Sequence, residues 1–336
     1  MAFREAKYYE TLDGDKVKCT LCPHECILKE GQTGICRTRK NIKGILYTLA
    51  YGNPVAVHID PIEKKPLTHF YPRSKAFSIA TAGCNLSCKN CQNWEISQAS
   101  PLDLPSYNLS PEEIVELAQK NNCKSIAYTY TDPVAFYEYT LDTAKIARQK
   151  GIKNVLISAG FINPEPLEEL APYIDAANID LKSFDDKIYK RLNAGRLQPV
   201  LDTLKILKKH GVWLEITNLI IPGWNDSEEM LEKMCHWLVE NGFENYPLHF
   251  SRFHPTYKLP DTPSTPVSTL EKAIEIAKQK GIKYPLIGNV WGHKYESTFC
   301  PVCGNPVIER IGFEVKKINI SQGKCVFCNT KIDGIW

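Results

Sequence analysis

Six or seven short apolar segments alternate with amphipathic helical segments, which predicts an α/β chain built on a parallel sheet with helices packed over it. Two further observations set the architecture: glycines that end the helical segments, and a cysteine-rich stretch at each end of the chain. The expected strands lie at 77–81, 125–130, 154–159, 177–182, 212–221 and 247–253, with a seventh at 283–288. Ser110, followed by Pro111 and Glu113, supplies an N-cap, a proline at the first helical position and a capping box. Asp226 with Glu229 supplies another helix start. Gly151, Gly211, Gly242 and Gly281 each follow a helical pattern and precede a strand. The last helix places Leu270, Ala273, Ile274 and Ala277 on one face. Periodicity leaves open whether the sheet is doubly wound or a complete or partial (β/α) barrel. In either case chemistry gathers at the carboxyl ends of the strands. Three regions follow: 1–75, with short strands and turns around the first cysteines; 76–295, the α/β region; and 296–336, a small cysteine-bearing module.

Composition narrows the function classes. Apolar residues at 43% and charged residues at 24% suit a globular protein and exclude intrinsic disorder. A net charge of +3 is too small for a general nucleic-acid or membrane-surface binder. No stretch approaches eighteen apolar residues, and the start, MAFREAKYYE, lacks an apolar core, so neither a span nor a secretory signal is expected. A reducing, cytoplasmic setting follows, in which clustered cysteines hold metal or do chemistry.

Eleven of the thirteen cysteines fall into three clusters. Cys84, Cys88 and Cys91 follow the first α/β strand directly, which puts them at the carboxyl-end rim. Iron–sulfur cubanes normally take four thiolates, so three supplied locally leave one iron open to a small chelating ligand. The alternative is a structural zinc site whose fourth ligand comes from elsewhere. Cys300, Cys303, Cys325 and Cys328 form two C-x2-C knuckles separated by 21 residues, as in zinc ribbons and rubredoxins. Zinc is expected there, in a module too small to fold without its metal. Cys19, Cys22, Cys26 and Cys36 would close a zinc site or hold an auxiliary [4Fe–4S] cluster used for electron delivery or substrate ligation. Cys123 and Cys235 read as buried small hydrophobes.

The C-x3-C-x2-C loop after the first strand resembles the signature of radical S-adenosylmethionine (SAM) enzymes, and residues 77 to about 290 are similar to the branch with the pyruvate formate-lyase activating enzymes. The resemblance implies a partial (β/α)6-type barrel, a [4Fe–4S] cluster on Cys84, Cys88 and Cys91, and bound SAM. In that family reductive cleavage of SAM gives methionine and a 5′-deoxyadenosyl radical that abstracts hydrogen. Thr129–Pro133 stands where the family has a GGE-type turn, which implies that Asp132 accepts from the SAM amino group; an N-cap before Pro133 is the other reading. Asp180 and Lys182 match the family's D-L-K, against a plain structural ion pair. His254, within Arg252–Pro255, is similar to an aromatic-His segment near SAM. Asn90 replaces the usual aromatic residue before the third cysteine, so the adenine contact shifts elsewhere, with Trp94 as the candidate.

The amino-terminal cysteine block, Pro54–Leu67, Cys91–Ser97, Phe136–Tyr139 and Gly288–Val290 together resemble the radical SAM member of the AmmeMemoRadiSam trio. That implies hydrogen abstraction from an unidentified protein or small molecule, a functional link to AMMECR-type and Memo-type proteins, and a one-electron reductant such as ferredoxin or flavodoxin. A glycyl-radical-enzyme activase is the alternative, and a non-catalytic metal- or nucleic-acid-binding protein a second one. No membrane or nucleic-acid partner is expected.

Overall fold

A computed structural model describes residues 4–336; residues 1–3 of the amino-terminal region lie outside it. The centre is an eight-stranded sheet whose strands lie side by side in sequence order. They are β1 (Ala56–Pro61), β2 (Lys75–Ala80), β3 (Ser125–Tyr128), β4 (Lys153–Ser158), β5 (Ala176–Asp180), β6 (Trp213–Ile220), β7 (Leu248–Arg252) and β8 (Pro285–Gly288). Strand β1 runs antiparallel to β2, and every other pairing is parallel. The outermost strands β1 and β8 do not pair with each other, so the sheet is an open, partial barrel. All seven expected strands are present. The added strand, β1, lies within the region expected to be separate, so the continuous sheet begins before residue 75.

Helices α1 (Pro111–Lys120), α2 (Tyr137–Gln149), α3 (Pro164–Leu170), α4 (Leu197–Lys209), α5 (Glu228–Glu240) and α6 (Val267–Lys280) join successive strands. The Ser110–Glu113 capping box is present at α1. Helix α5 is capped one residue later than the sequence suggested: Ser227 accepts from the Met230 N–H, while Asp226 accepts from the Gly223 N–H at 3.0 Å. Both residue types cap well, and the turn after β6 claims the aspartate first. Leu270, Ala273, Ile274 and Ala277 are buried, as their spacing requires. Cys123 and Cys235 are buried in the same large core between helices and sheet.

The other face of the sheet is different in kind. Its lower end is small and apolar: Ala76, Ala127, Val155 and Ala176 pack against Ile62, Leu67 and Phe70 of the segment between β1 and β2. Above that plug the same face carries Asn178, Asp180, Glu215, Thr217 and His249, an unusual set for a parallel sheet. Glu215 is fully buried and accepts from Thr68 Oγ1, the His69 N–H and His249 Nε2, each at 2.7 Å. Burial opposes its ionisation, but these donors and the neighbouring imidazoles bring its carboxyl down to about 2.

The flanking regions dock on this frame. Two small antiparallel sheets occupy the amino-terminal segment. The first includes Arg39, whose buried guanidinium pairs with buried Glu138 on α2 and donates to the Lys7 carbonyl at 2.7 Å. The carboxy-terminal module is a three-stranded antiparallel sheet plus a short hairpin. It reaches the plug through Arg310, which donates to the Thr68 carbonyl at 2.7 Å, and through His69, which bonds Thr298 Oγ1 and the Asp333 carbonyl.

Removing one partner of a buried pair strands the other charge. Glu138→Ala should therefore lower stability by about 3–5 kcal/mol in equilibrium urea unfolding, and a loss below about 1 kcal/mol would show that Arg39 finds water or another partner. Glu215 is held below the ordinary carboxylate value of 4.5, so its contribution is full above that pH and is lost as pH falls towards 2. Glu215→Gln should be less stable at neutral pH, with a flatter stability profile below pH 4.5 than the parent; parallel profiles would contradict the assignment.

Candidate active site and metal centres

The loop after β2 carries Cys84, Cys88 and Cys91, all half-buried, at the carboxyl end of the sheet. It forms no helix or strand of its own, and its neighbours hold its shape. Gly83 lies at φ 95°, and a side chain there would come 2.6 Å from the Cys36 carbonyl, so only glycine fits. The Ser87 and Lys89 N–H groups donate to the Asn193 and Leu192 carbonyls, and Asn85 Nδ2 donates to the Phe161 carbonyl at 2.7 Å. Each sulfur has a polar neighbour. The Leu86 N–H donates to Cys84 at 3.4 Å, Asn193 Nδ2 donates to Cys88 at 3.2 Å, and Ser97 Oγ lies 3.2 Å from Cys91. Such contacts stabilise thiolate charge and tune cluster potentials.

Lys182 pairs with Asp180 at 2.7 Å, at the end of β5. Burial disfavours its ammonium, but the Asp180 carboxylate and the Cys88 sulfur hold it protonated well above the usual lysine range. Burial also raises the Cys88 thiol, and the Lys182 charge opposes that rise. Asp132 lies near Cys84 and has a raised carboxyl, chiefly through burial. Its oxygens are already engaged by the Val134 N–H (3.1 Å), the Ser158 hydroxyl (3.0 Å) and the Ala159 N–H (2.8 Å). This is the geometry of a cap that also ties two strand ends together. The carboxyl ends of β2, β3 and β5 thus gather Cys84, Cys88, Asp132, Asp180 and Lys182. His254 stands apart, exposed beyond β7, with Ser264 Oγ 3.3 Å from its Nδ1. Trp94, 41% exposed, stacks on Tyr257 at 5.1 Å and 7°.

A second polar group inside the barrel was not singled out from sequence. Asp60, on β1, pairs with buried Lys65 at 2.7 Å and accepts from the Tyr130 hydroxyl. Burial opposes the Asp60 charge, but Lys65, Tyr130 and Lys64 hold its carboxyl well below the usual range. Burial lowers Lys65 to about 8 despite that partner. Tyr130 adopts φ 62°, and its carbonyl accepts from Asn93 Nδ2 at 2.8 Å, which links this group to the cysteine loop. The sequence signal was the charged run Glu63-Lys64-Lys65 beside a strand, a pattern normally read as solvated. Asn193 carried no signal, because only the fold brings it to Cys88.

The two four-cysteine sets differ. Cys300, Cys303, Cys325 and Cys328 have all their sulfurs within 4.8 Å of one another, with the 300–328 pair at 3.6 Å and the 303–325 pair at 3.8 Å. A tetrahedral zinc with Zn–S bonds of about 2.3 Å requires sulfurs about 3.8 Å apart, so the residues fit a single ion. Cys19, Cys22, Cys26 and Cys36 instead line one small, partly open cavity, together with His24, Arg39 and Asn85. Among the described residues the carboxy-terminal four are the one set of three or more candidate ligands that closes to within 4.8 Å. Neither the amino-terminal set nor the three-cysteine loop does so.

Comparison with known proteins adds the family. Residues 78–238 match the Radical SAM superfamily. The uncharacterized protein MJ0808 of Methanocaldococcus jannaschii is 49% identical over 332 residues, 98% of this chain and 99% of that one. The 4-hydroxyphenylacetate decarboxylase activating enzyme of Clostridium scatologenes is 24% identical over 50% of this chain and 56% of its own length. The pyruvate formate-lyase 1-activating enzyme of Escherichia coli K12 is 23% identical over 60% of this chain and 87% of its own. The crystal structure of a radical SAM methyltransferase from Sphaerobacter thermophilus shares the fold, with a TM-score of 0.51 over 86% of this chain and 78% of that one, at 14% identity. The α/β sheet with its three-cysteine loop and these relatives place the chain in the radical SAM superfamily.

Proposed function

We propose that this protein is a radical SAM enzyme whose cluster sits on Cys84, Cys88 and Cys91 and whose barrel interior receives a substrate, protein or small molecule, that loses a hydrogen atom. The observation that carries the reading is a loop of three half-buried thiols, each with a polar neighbour, at the rim of a sheet whose concave face is charged. When bound, a [4Fe–4S] cluster and SAM supply the electron and the 5′-deoxyadenosyl radical. The protein's residues do the rest. Lys182 places a positive charge beside Cys88 and offsets the thiolates. Asp180 fixes that ammonium and is itself 38% exposed. Asp132 acts as a positioning residue that shapes the Thr129–Pro133 turn, while Trp94 stacks on Tyr257 beyond β7 and His254 stays exposed after that strand. The Asp60, Lys65 and Tyr130 group lines the interior next to the same turn. A one-electron reductant of the ferredoxin or flavodoxin class belongs to this reading. The AMMECR-type and Memo-type link rests on the sequence resemblance alone. The relatives' names favour a second reading, activation of a glycyl radical enzyme, which a glycyl radical signal on a partner protein would identify.

Anaerobically reconstituted, reduced protein should convert SAM to 5′-deoxyadenosine, and Cys88→Ala should abolish that conversion; turnover surviving in the variant would end the proposal. Lys182→Met should keep its iron but lose about 10- to 100-fold in SAM cleavage, and an unchanged rate would assign the lysine a structural role. Zinc removal from the carboxy-terminal module, or Cys300→Ala, should lower the melting temperature while cleavage persists in the cold. A stable but inactive variant would instead place that module at the active site.

A further inference from the structure

We propose that Cys19, Cys22, Cys26 and Cys36 hold a second [4Fe–4S] cluster, which hands single electrons to the site at Cys84, Cys88 and Cys91. The electron-delivery half rests on the function proposed above; the assignment of the metal group does not.

Spacing carries the assignment. A single tetrahedral ion draws its sulfurs to about 3.8 Å, and the carboxy-terminal set shows that closure in this same chain. A cubane holds its cysteine sulfurs about 6 Å apart, because each binds a different corner iron. The amino-terminal four line a common cavity without closing to within 4.8 Å, and the three-cysteine loop is open in the same way. The walls suit a cluster: Leu21, Leu28 and Val134 supply apolar surface, and Thr38 Oγ1 donates to Cys36 Sγ at 3.2 Å.

Position carries the role. The Cys36 carbonyl and the Thr38 methyl both lie against Gly83, the residue preceding Cys84, within 2.6 Å of where a side chain would begin. On the other side of the loop, Asn85 lines the cysteine cavity and its carbonyl bonds His24 Nε2 at 2.7 Å. The wall between the two sites is therefore the segment Gly83-Cys84-Asn85 itself. With four thiols the amino-terminal site is fully ligated and has no open iron for substrate, and its place behind Gly83-Cys84-Asn85 favours electron transfer over a purely structural role. The step is balanced simply: an external one-electron donor of the ferredoxin class is oxidised by one electron, the second cluster is reduced, and it is reoxidised as the cluster on Cys84, Cys88 and Cys91 takes that electron. No bond or proton changes hands.

The test uses full-length protein reconstituted anaerobically with ferrous iron and sulfide. A Cys84→Ala/Cys88→Ala/Cys91→Ala variant should retain about four irons and four sulfides per chain, with a [4Fe–4S] Mössbauer signature. Further substitution of Cys26→Ser and Cys36→Ser should remove them. A triple variant with no iron and about two zincs would overturn the assignment. For the electron route, Cys26→Ser/Cys36→Ser in the otherwise intact chain should give the remaining cluster's EPR signal at parental rate with dithionite, but about tenfold or more slowly with a photoreduced ferredoxin. Equal rates with both donors would overturn the relay. Protein that carries both clusters yet never cleaves SAM would refute the function above and leave this metal assignment standing.

Discussion

A carboxylate buried inside an open barrel must be surrounded by donors, and Glu215 meets that demand with groups drawn from far along the chain. Its oxygens take a hydroxyl and an N–H from the segment between β1 and β2, and an imidazole N–H from β7. That segment is thereby fixed across the bottom of the barrel, where Ile62, Leu67 and Phe70 close the apolar end. The same residues then hold the carboxy-terminal module, since Arg310 reaches the Thr68 carbonyl and His69 bonds Thr298 and the Asp333 carbonyl. One buried charge thus organises the floor of the barrel and the seat of the carboxy-terminal cysteine module, and leaves the opposite end open.

Across the two ends, the division of thiols into three, four and four becomes a division of labour. The tight carboxy-terminal set matches a single structural ion. The three-cysteine loop is propped by Asn193, Asn85 and Gly83 so that its sulfurs face one another without closing, and a charged pair, Asp180–Lys182, stands beside it. The amino-terminal set backs directly onto this loop through Cys36 and Asn85, which explains why that region is bolted to α2 by a buried Arg39–Glu138 pair rather than left as a flexible appendage.

Much of this was legible in the sequence because it is local. Alternating apolar segments and helix signals give the seven strands, and cysteine spacing picks out the carboxy-terminal set that closes around a space fit for one ion. The α5 cap moved by one residue because Asp226 and Ser227 compete for the same role and a turn engages the first. Strand β1 was hidden because its alternating VHID segment lies among short irregular strands, and only the antiparallel pairing with β2 reveals it. Lys65 and Asp60 were hidden for the opposite reason: charge normally implies exposure, and only the plug buries them. Asp132 drew two compatible readings from its motif, and its hydrogen bonds to Val134, Ser158 and Ala159 form the cap. Asn193 and Gly83 owe their importance to contacts across the fold that no spacing rule encodes.

If the three-cysteine loop leaves one iron free for SAM to chelate, electron–nuclear double resonance on the reduced, reconstituted protein with SAM labelled at its amino nitrogen and carboxylate should show hyperfine coupling from both labels to the cluster, lost in Cys88→Ala. Absence of coupling in protein whose cluster is intact and SAM-saturated would mean that SAM does not chelate the iron.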